Sequence, residues 1–176
     1  MSPRRQRLTS LVLMGVAGSG KSSVMAALEA RLGWPALEGD SLHPPSNVAK
    51  MAAGVPLTDA DRAPWLDAIG RWIDEREAKR RSALVTCSAL RRSYRDRLRE
   101  GHPSVWFVHL AATPDVLAAR MAQREGHFMP VSLLASQLAT LEPLTPDEPG
   151  TTIEAIGSPD EIATRIVESL RLEAQR

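Results

Sequence analysis

Residues 11–23 read LVLMGVAGSGKSS, an apolar run followed by Gly15, Gly20, Lys21 and Ser22 in the spacing G-x-x-x-x-G-K-S. No other stretch limits the fold as much, because the pattern has meaning only where a buried strand turns abruptly into a helix. Glycine adopts backbone conformations closed to other residues. The N–H groups from Val16 through Ala17, Gly18, Ser19 and Gly20 to Lys21 can therefore turn inward around an anion. With a nucleoside triphosphate as ligand, Lys21 reaches the β- and γ-phosphates and Ser22 presents its hydroxyl to Mg²⁺. The helix opening at Lys21 directs its positive dipole end at the same charge. Residues 15–23, from Gly15 to Ser23, are thus the expected ATP cradle, with Lys21 catalytic and Ser22 the metal contact.

Length and charge narrow the rest. A chain of 176 residues suits one domain with a sizeable core, so 1–176 is expected to be a single unit. Its formal net charge of +1 gives no bulk attraction to nucleic acid or to a membrane surface. No apolar run approaches the roughly 20 residues that span a bilayer, and the apolar stretch after the basic N-terminus is short and runs straight into Lys21. The expected setting is the cytoplasm, with no nucleic acid or membrane as partner. The single cysteine, Cys87, excludes an internal disulfide and reads as a small buried hydrophobe.

Apolar strand-like runs at 10–14, 36–38, 83–87, 105–110 and 152–155 alternate with helical patterns, which predicts an α/β fold: a five-stranded parallel sheet flanked by helices. Thr113-Pro114 and Ser158-Pro159 mark two helix starts, and Glu161 completes a capping box with Ser158. Residues 41–81 exceed what a simple crossover needs. Within them Asp61 is the expected N-cap of a helix with Pro64 in its first turn, Trp65, Ile69, Trp72 and Ile73 as its buried stripe, and Arg62 at its entrance. Ligands of open α/β sheets gather at the carboxyl ends of the strands, so this insertion is placed to close over a substrate beside the phosphates.

Asp40 follows the second strand and is the candidate base, because transfer of a phosphoryl group to an alcohol needs a carboxylate that accepts the hydroxyl proton. Glu38 is a weaker candidate, for a water-mediated contact to Mg²⁺, since it lies within the strand. Arg120 and Arg124 stand four apart on one helix, a spacing that an anion between them would favour. The glycine, proline and aromatic of 125–130 suit a lid, assigned here to 125–141, that keeps water from the reaction. In the basic segment after the third strand, Arg91 and Arg95 are placed to hold a carboxylate or phosphate, whereas Arg97 and Arg99 read as solvated. His43 and His127 fall in the inferred ligand segments; His102 reads as loop and His109 as strand interior.

GDSLHPPSNVAKMAAGVPLTDADRAPWL, CSALRRSYRDRLR and GHFMPVSLLASQLATLEP, together with GVAGSGKSS, resemble the gluconate kinases of the small P-loop, shikimate-kinase-like type. The resemblance implies the nucleoside-monophosphate-kinase fold, a homodimer, and the reaction of ATP with D-gluconate to give ADP and 6-phosphogluconate. It also implies a sugar-acid site of Asp40, His43, Lys50, Arg62, Arg91, Arg95, His127 and Gln137, with Arg124 acting on the transferred group from the lid. Arg91 stands where some members carry lysine, which keeps the charge and changes the geometry. Two other readings share parts of the pattern: a shikimate or nucleoside-monophosphate kinase, separated only by its acceptor segment, and a non-catalytic nucleotide-binding module, which needs neither base nor lid.

Overall fold

A computed structural model describes residues 7–123 and 132–175. Its centre is strand β1 (Ser10–Met14), every residue of which is buried. Successive side chains of a strand point to opposite faces, and here both faces are covered. Leu11 and Leu13 pack with α1 (Lys21–Leu32) and α7 (Pro159–Leu170). Val12 and Met14 pack with Trp65, Leu66, Ile69 and Ile73 of α3 (Asp59–Ala78) and Tyr94 and Leu98 of α4 (Arg92–Arg99).

The other strands are β2 (Ala36–Glu38), β3 (Ala83–Thr86), β4 (Val105–Ala111) and β5 (Gly150–Glu154). All pair in parallel, as the alternating pattern predicts, and their order is β2-β3-β1-β4-β5. Connections leave β1 and β4 toward opposite edges, which opens a crevice at the carboxyl ends of the central strands. Strand ends move by a residue or two from expectation; β3 stops at Thr86 and β5 begins at Gly150.

The insertion is more structured than its sequence suggests. A turn of 3-10 helix over Gly39–Leu42 leads into α2 (Pro45–Ala52), and α3 begins at Asp59, three residues before the first residue expected after an Asp61 N-cap. Asp61 is not the N-cap. Thr58 is: its hydroxyl accepts from Asp61 N–H while the Asp61 carboxylate accepts from Thr58 N–H, a capping box. Pro64 therefore lies inside the helix, and its missing N–H leaves the Ala60 carbonyl without the usual helical donor. The remaining helices are α5 (Pro114–Ala122), begun by Thr113, and α6 (Ser132–Thr140).

Arg95 is the largest departure from expectation. Rather than facing a ligand it is fully buried under α4, pairing with Glu148 through Nε at 2.6 Å and Nη2 at 2.9 Å. Its Nη1 donates to the carbonyls of Ala89, Leu90 and Glu142. The guanidinium thus ties the proline-rich segment before β5 to the turn after β3, where Ala89 has a left-handed φ of 43°. Arg95→Met strands a buried carboxylate and is expected to cost about 3–5 kcal/mol, read from urea unfolding, with Arg95→Met/Glu148→Leu regaining part of it. Hydrogen bonds from Arg95 hold the Glu148 carboxyl below its ordinary range. That stabilisation is present above the unfolded value near ~4.3 and lost as pH falls through the lower folded one, so the gap between wild type and Arg95→Met should narrow in acid.

Candidate active site

A cavity of about 310 Å³ opens at the carboxyl edge of the sheet, between the glycine-rich turn, the insertion and α6. Gly20 caps α1 with φ 93°, a left-handed conformation that favours glycine and bends the chain from strand into helix. Ala17, Gly18, Gly20, Lys21 and Ser22 line the cavity; Gly15, Val16, Ser19 and Ser23 complete the turn without lining it. Lys21 Nζ donates to the carbonyls of Gly15 and Val16, both at 3.0 Å, which lays the ammonium across the turn. From α5, Arg120 reaches the same turn, with Nη1 3.4 Å from the Ser19 carbonyl and Nη2 2.8 Å from that of Ala155. Gln137 of α6 accepts from Ala17 N–H at 2.7 Å.

Glu38, the last residue of β2, stands closer to the chemistry than its place within a strand suggests. Its Oε2 accepts from Ser22 Oγ at 3.0 Å and from Thr86 Oγ1 at 2.7 Å. Thr86 Oγ1 in turn accepts from Gly39 N–H, and a Cβ at position 39 would lie 2.0 Å from the Thr86 carbonyl oxygen. The chain is thus pressed onto β3 at Gly39, between Glu38 at the end of β2 and Asp40 on the 3-10 turn. The hydroxyl and carboxylate oxygens of Ser22 and Glu38 suit Mg²⁺, a hard cation that takes few protein ligands beside phosphate oxygens. Among the described residues no cluster of three His, Cys, Asp or Glu forms a cage for a metal.

Asp40 lines the cavity from the 3-10 turn, its side chain 42% exposed, with Oδ1 3.7 Å from Nε2 of His43. The His43 side chain is 3% exposed and stacks on Trp65 with centroids 4.0 Å apart. Burial first, and the Arg62 cation after it, lower the His43 pKa to about 4 against the opposing pull of Asp40, so the ring is neutral at pH 7.

Two arginines share this cavity with the phosphate turn. Arg62 of α3 and Arg91, the N-cap of α4, both line the cavity and lie 5.2 and 6.0 Å from the Tyr94 ring centroid. Among the described residues Arg62 Nε is buried without a hydrogen-bond partner, and Arg91 stands 3.6 Å from Asp59. The Tyr94 hydroxyl donates to Asp59 at 2.5 Å. Tyr94 and Asp59 escaped the sequence reading, although Tyr94 follows Arg91 by three and so shares its helix face.

Lys50, expected at the acceptor, belongs elsewhere. Its Nζ bonds both oxygens of Asp61, at 2.9 and 2.8 Å, and lies outside the cavity lining; chiefly through that contact the Asp61 pKa falls to about 2. Arg95 is likewise withdrawn into the core. Arg124, His127 and the lid residues 125–131 lie outside the described residues.

A model of the AAA domain family matches residues 11–144. The gluconokinase of Gluconobacter oxydans is 49% identical over 163 residues, covering 93% of this chain and 92% of that protein. A sugar kinase from a Janibacter species, solved without ligand, superposes with TM-score 0.90 at 45% identity over 96% of this chain and 99% of its own. A gluconokinase from Sinorhizobium meliloti does so with TM-score 0.79 at 48% identity, over 95% and 98%.

Lys21→Ala is expected to keep the far-ultraviolet circular dichroism spectrum and to weaken MgATP binding about tenfold or more, as calorimetry would read it. Lys50→Ala, whose cation serves Asp61, should leave that affinity within about twofold.

Proposed function

The chain belongs to the gluconokinase family, and from that premise we propose that it transfers the γ-phosphoryl group of ATP to D-gluconate, yielding ADP and 6-phospho-D-gluconate. The observation that carries this reading is that one cavity is lined both by an anion cradle with Lys21 and by two further cations, Arg62 and Arg91. An extended acid bridges the two, its carboxylate on the arginines and its far hydroxyl toward the phosphates. Arg62, with its buried Nε lacking an acceptor among the described residues, is the strongest pull for that carboxylate.

Asp40 accepts the proton of the terminal hydroxyl as its oxygen attacks the γ-phosphorus and ADP departs. Lys21, Arg120 and, from the lid, Arg124 hold the charge on the transferred group. Ser22 and Glu38 would hold Mg²⁺, which would supply positive charge against the negative charge of the triphosphate. Gln137 joins the acceptor site from α6, and His127 is assigned there from the lid. Lys50 and Arg95 are left out of it. The same reading has the protein cytoplasmic and homodimeric, without nucleic acid or membrane as partner. Among the described residues no helix is long and apolar enough to cross a membrane.

A coupled ADP-release assay tests the assignment. Gluconate should turn over, whereas glucose, lacking the carboxylate, should be rejected by about 10⁴ in kcat/KM. Comparable efficiency on both would remove the arginine–carboxylate account, and no ADP from any sugar acid would leave a nucleotide-binding module. Asp40→Asn should keep ATP affinity and lose about 10²–10⁴ in kcat; a loss under about tenfold would make Asp40 a turn residue.

A further inference from the structure

Asp40 rides on a single turn of 3-10 helix with its carboxylate partly exposed, and such a group rotates unless a neighbour holds it. The neighbour is His43, and its orientation follows from Asn47, which is 2% exposed. Asn47 Nδ2 donates to the Asp61 carbonyl at 2.9 Å. A carbonyl oxygen only accepts, so the nitrogen of that amide, and not its oxygen, faces it. The same nitrogen lies 3.2 Å from His43 Nδ1. Because Nδ2 has only hydrogens to offer, Nδ1 must be the acceptor, and the proton of the ring sits on Nε2, the atom that faces Asp40.

The ring is locked in other ways too. It stacks on Trp65 at an interplanar angle of 19°, and Trp65 Nε1 donates to the Gly39 carbonyl at 2.8 Å, at the start of the turn that carries Asp40. Histidine, tryptophan and carboxylate therefore form one unit. The 3.7 Å gap between Nε2 and Oδ1 is just beyond a hydrogen bond. Catalytic bonds of free enzymes are often long in this way and tighten when the substrates are bound.

We propose that His43 and Asn47 are positioning residues for the transfer: Asn47 fixes His43 as the Nε2–H tautomer, and that N–H holds Oδ1 of Asp40 so that Oδ2 faces the acceptor hydroxyl. This rests on the role given to Asp40 above. His43 lines the cavity, but its ring is 3% exposed and packed between Trp65 and Asp40, so in this reading it serves Asp40 in place of the contact with the sugar acid that the family resemblance implies. An uncharged ring also suits the task. A cationic imidazolium beside Asp40 would stabilise its ionised form and weaken it as a base, and burial among Trp65 and Arg62 keeps the ring neutral.

Nitrogen-15 NMR of the histidines of the wild-type protein at neutral pH reads the tautomer directly. Nδ1 unprotonated with Nε2 protonated is expected for His43; a protonated Nδ1, or an average over both forms, overturns the proposal. In kinetics, His43→Leu should lower kcat about 10- to 100-fold, the scale of a misplaced catalytic group, with both KM values within about threefold. His43→Gln, whose amide nitrogen can reach the position of Nε2, should regain most of that rate, and Asn47→Leu should lower kcat while mixing the tautomers. An unchanged kcat in His43→Leu, a loss confined to the KM for gluconate, or no rescue by glutamine would each overturn it. If the leucine variants fail to fold, the spectrum of the wild type still decides. Failure of the wild type to phosphorylate gluconate would sink the premise alone, because the tautomer is measured without substrate.

Discussion

Strand β1 has no face toward water, and the placement of the active centre depends on that. Leu11, Val12, Leu13 and Met14 are each fully buried, divided between two helical layers. Burial of such a side chain is worth about 1.5–3 kcal/mol, so sliding or tilting the strand would expose apolar surface on both sides at once. The phosphate turn is the direct continuation of this strand. Its loop need not be rigid by itself, because one end emerges from the most constrained segment of the chain and the other enters α1, fixed by Val24, Met25, Leu28 and Leu32.

From this fixed point the arginines divide by environment. Arg95 lies in the core with every donor group directed at carbonyls or at Glu148, so its charge is committed to holding the segment before β5 against the turn after β3. Arg91, one helical turn earlier, stands at the N-cap of α4 and faces the cavity. The buried arginine shapes the turn that delivers the exposed one. Asp59 then stands against Arg91, and Tyr94 lies beside both Arg91 and Arg62 at the cavity wall.

The sequence discloses the sheet and the phosphate turn because both rest on local signals: apolar runs of strand length and glycines at a fixed spacing. It also discloses that Asp40 emerges at the carboxyl edge, since that follows from the end of β2. What it hides depends on partners distant in the chain. Arg91 and Arg95 look alike until Glu148, 53 residues after Arg95, claims one of them. Lys50 looks available until the capping box at Thr58 turns the Asp61 carboxylate toward it. Glu38 reads as strand interior until the register with β3 sets Thr86 beside it and α1 brings Ser22 across. Asp61 and Thr58 are both good N-caps by type, and their reciprocal bonding decides which of them serves.

The 2.0 Å that a Cβ at position 39 would leave to the Thr86 carbonyl has a consequence for anyone wishing to redirect this scaffold to another acceptor. Glu38 and Asp40 flank that glycine, so the spacing of the two backbone positions that carry the carboxylates is set by backbone contact and is closed to combinatorial variation. A library that randomised this tripeptide would return mainly misfolded clones. Diversity belongs instead at Met51, Pro56 and Leu57, which line the cavity where α2 ends and the chain runs on to α3, and which carry none of the polar roles described above. New specificities can then be sampled while the backbone spacing of Glu38 and Asp40 stays constant.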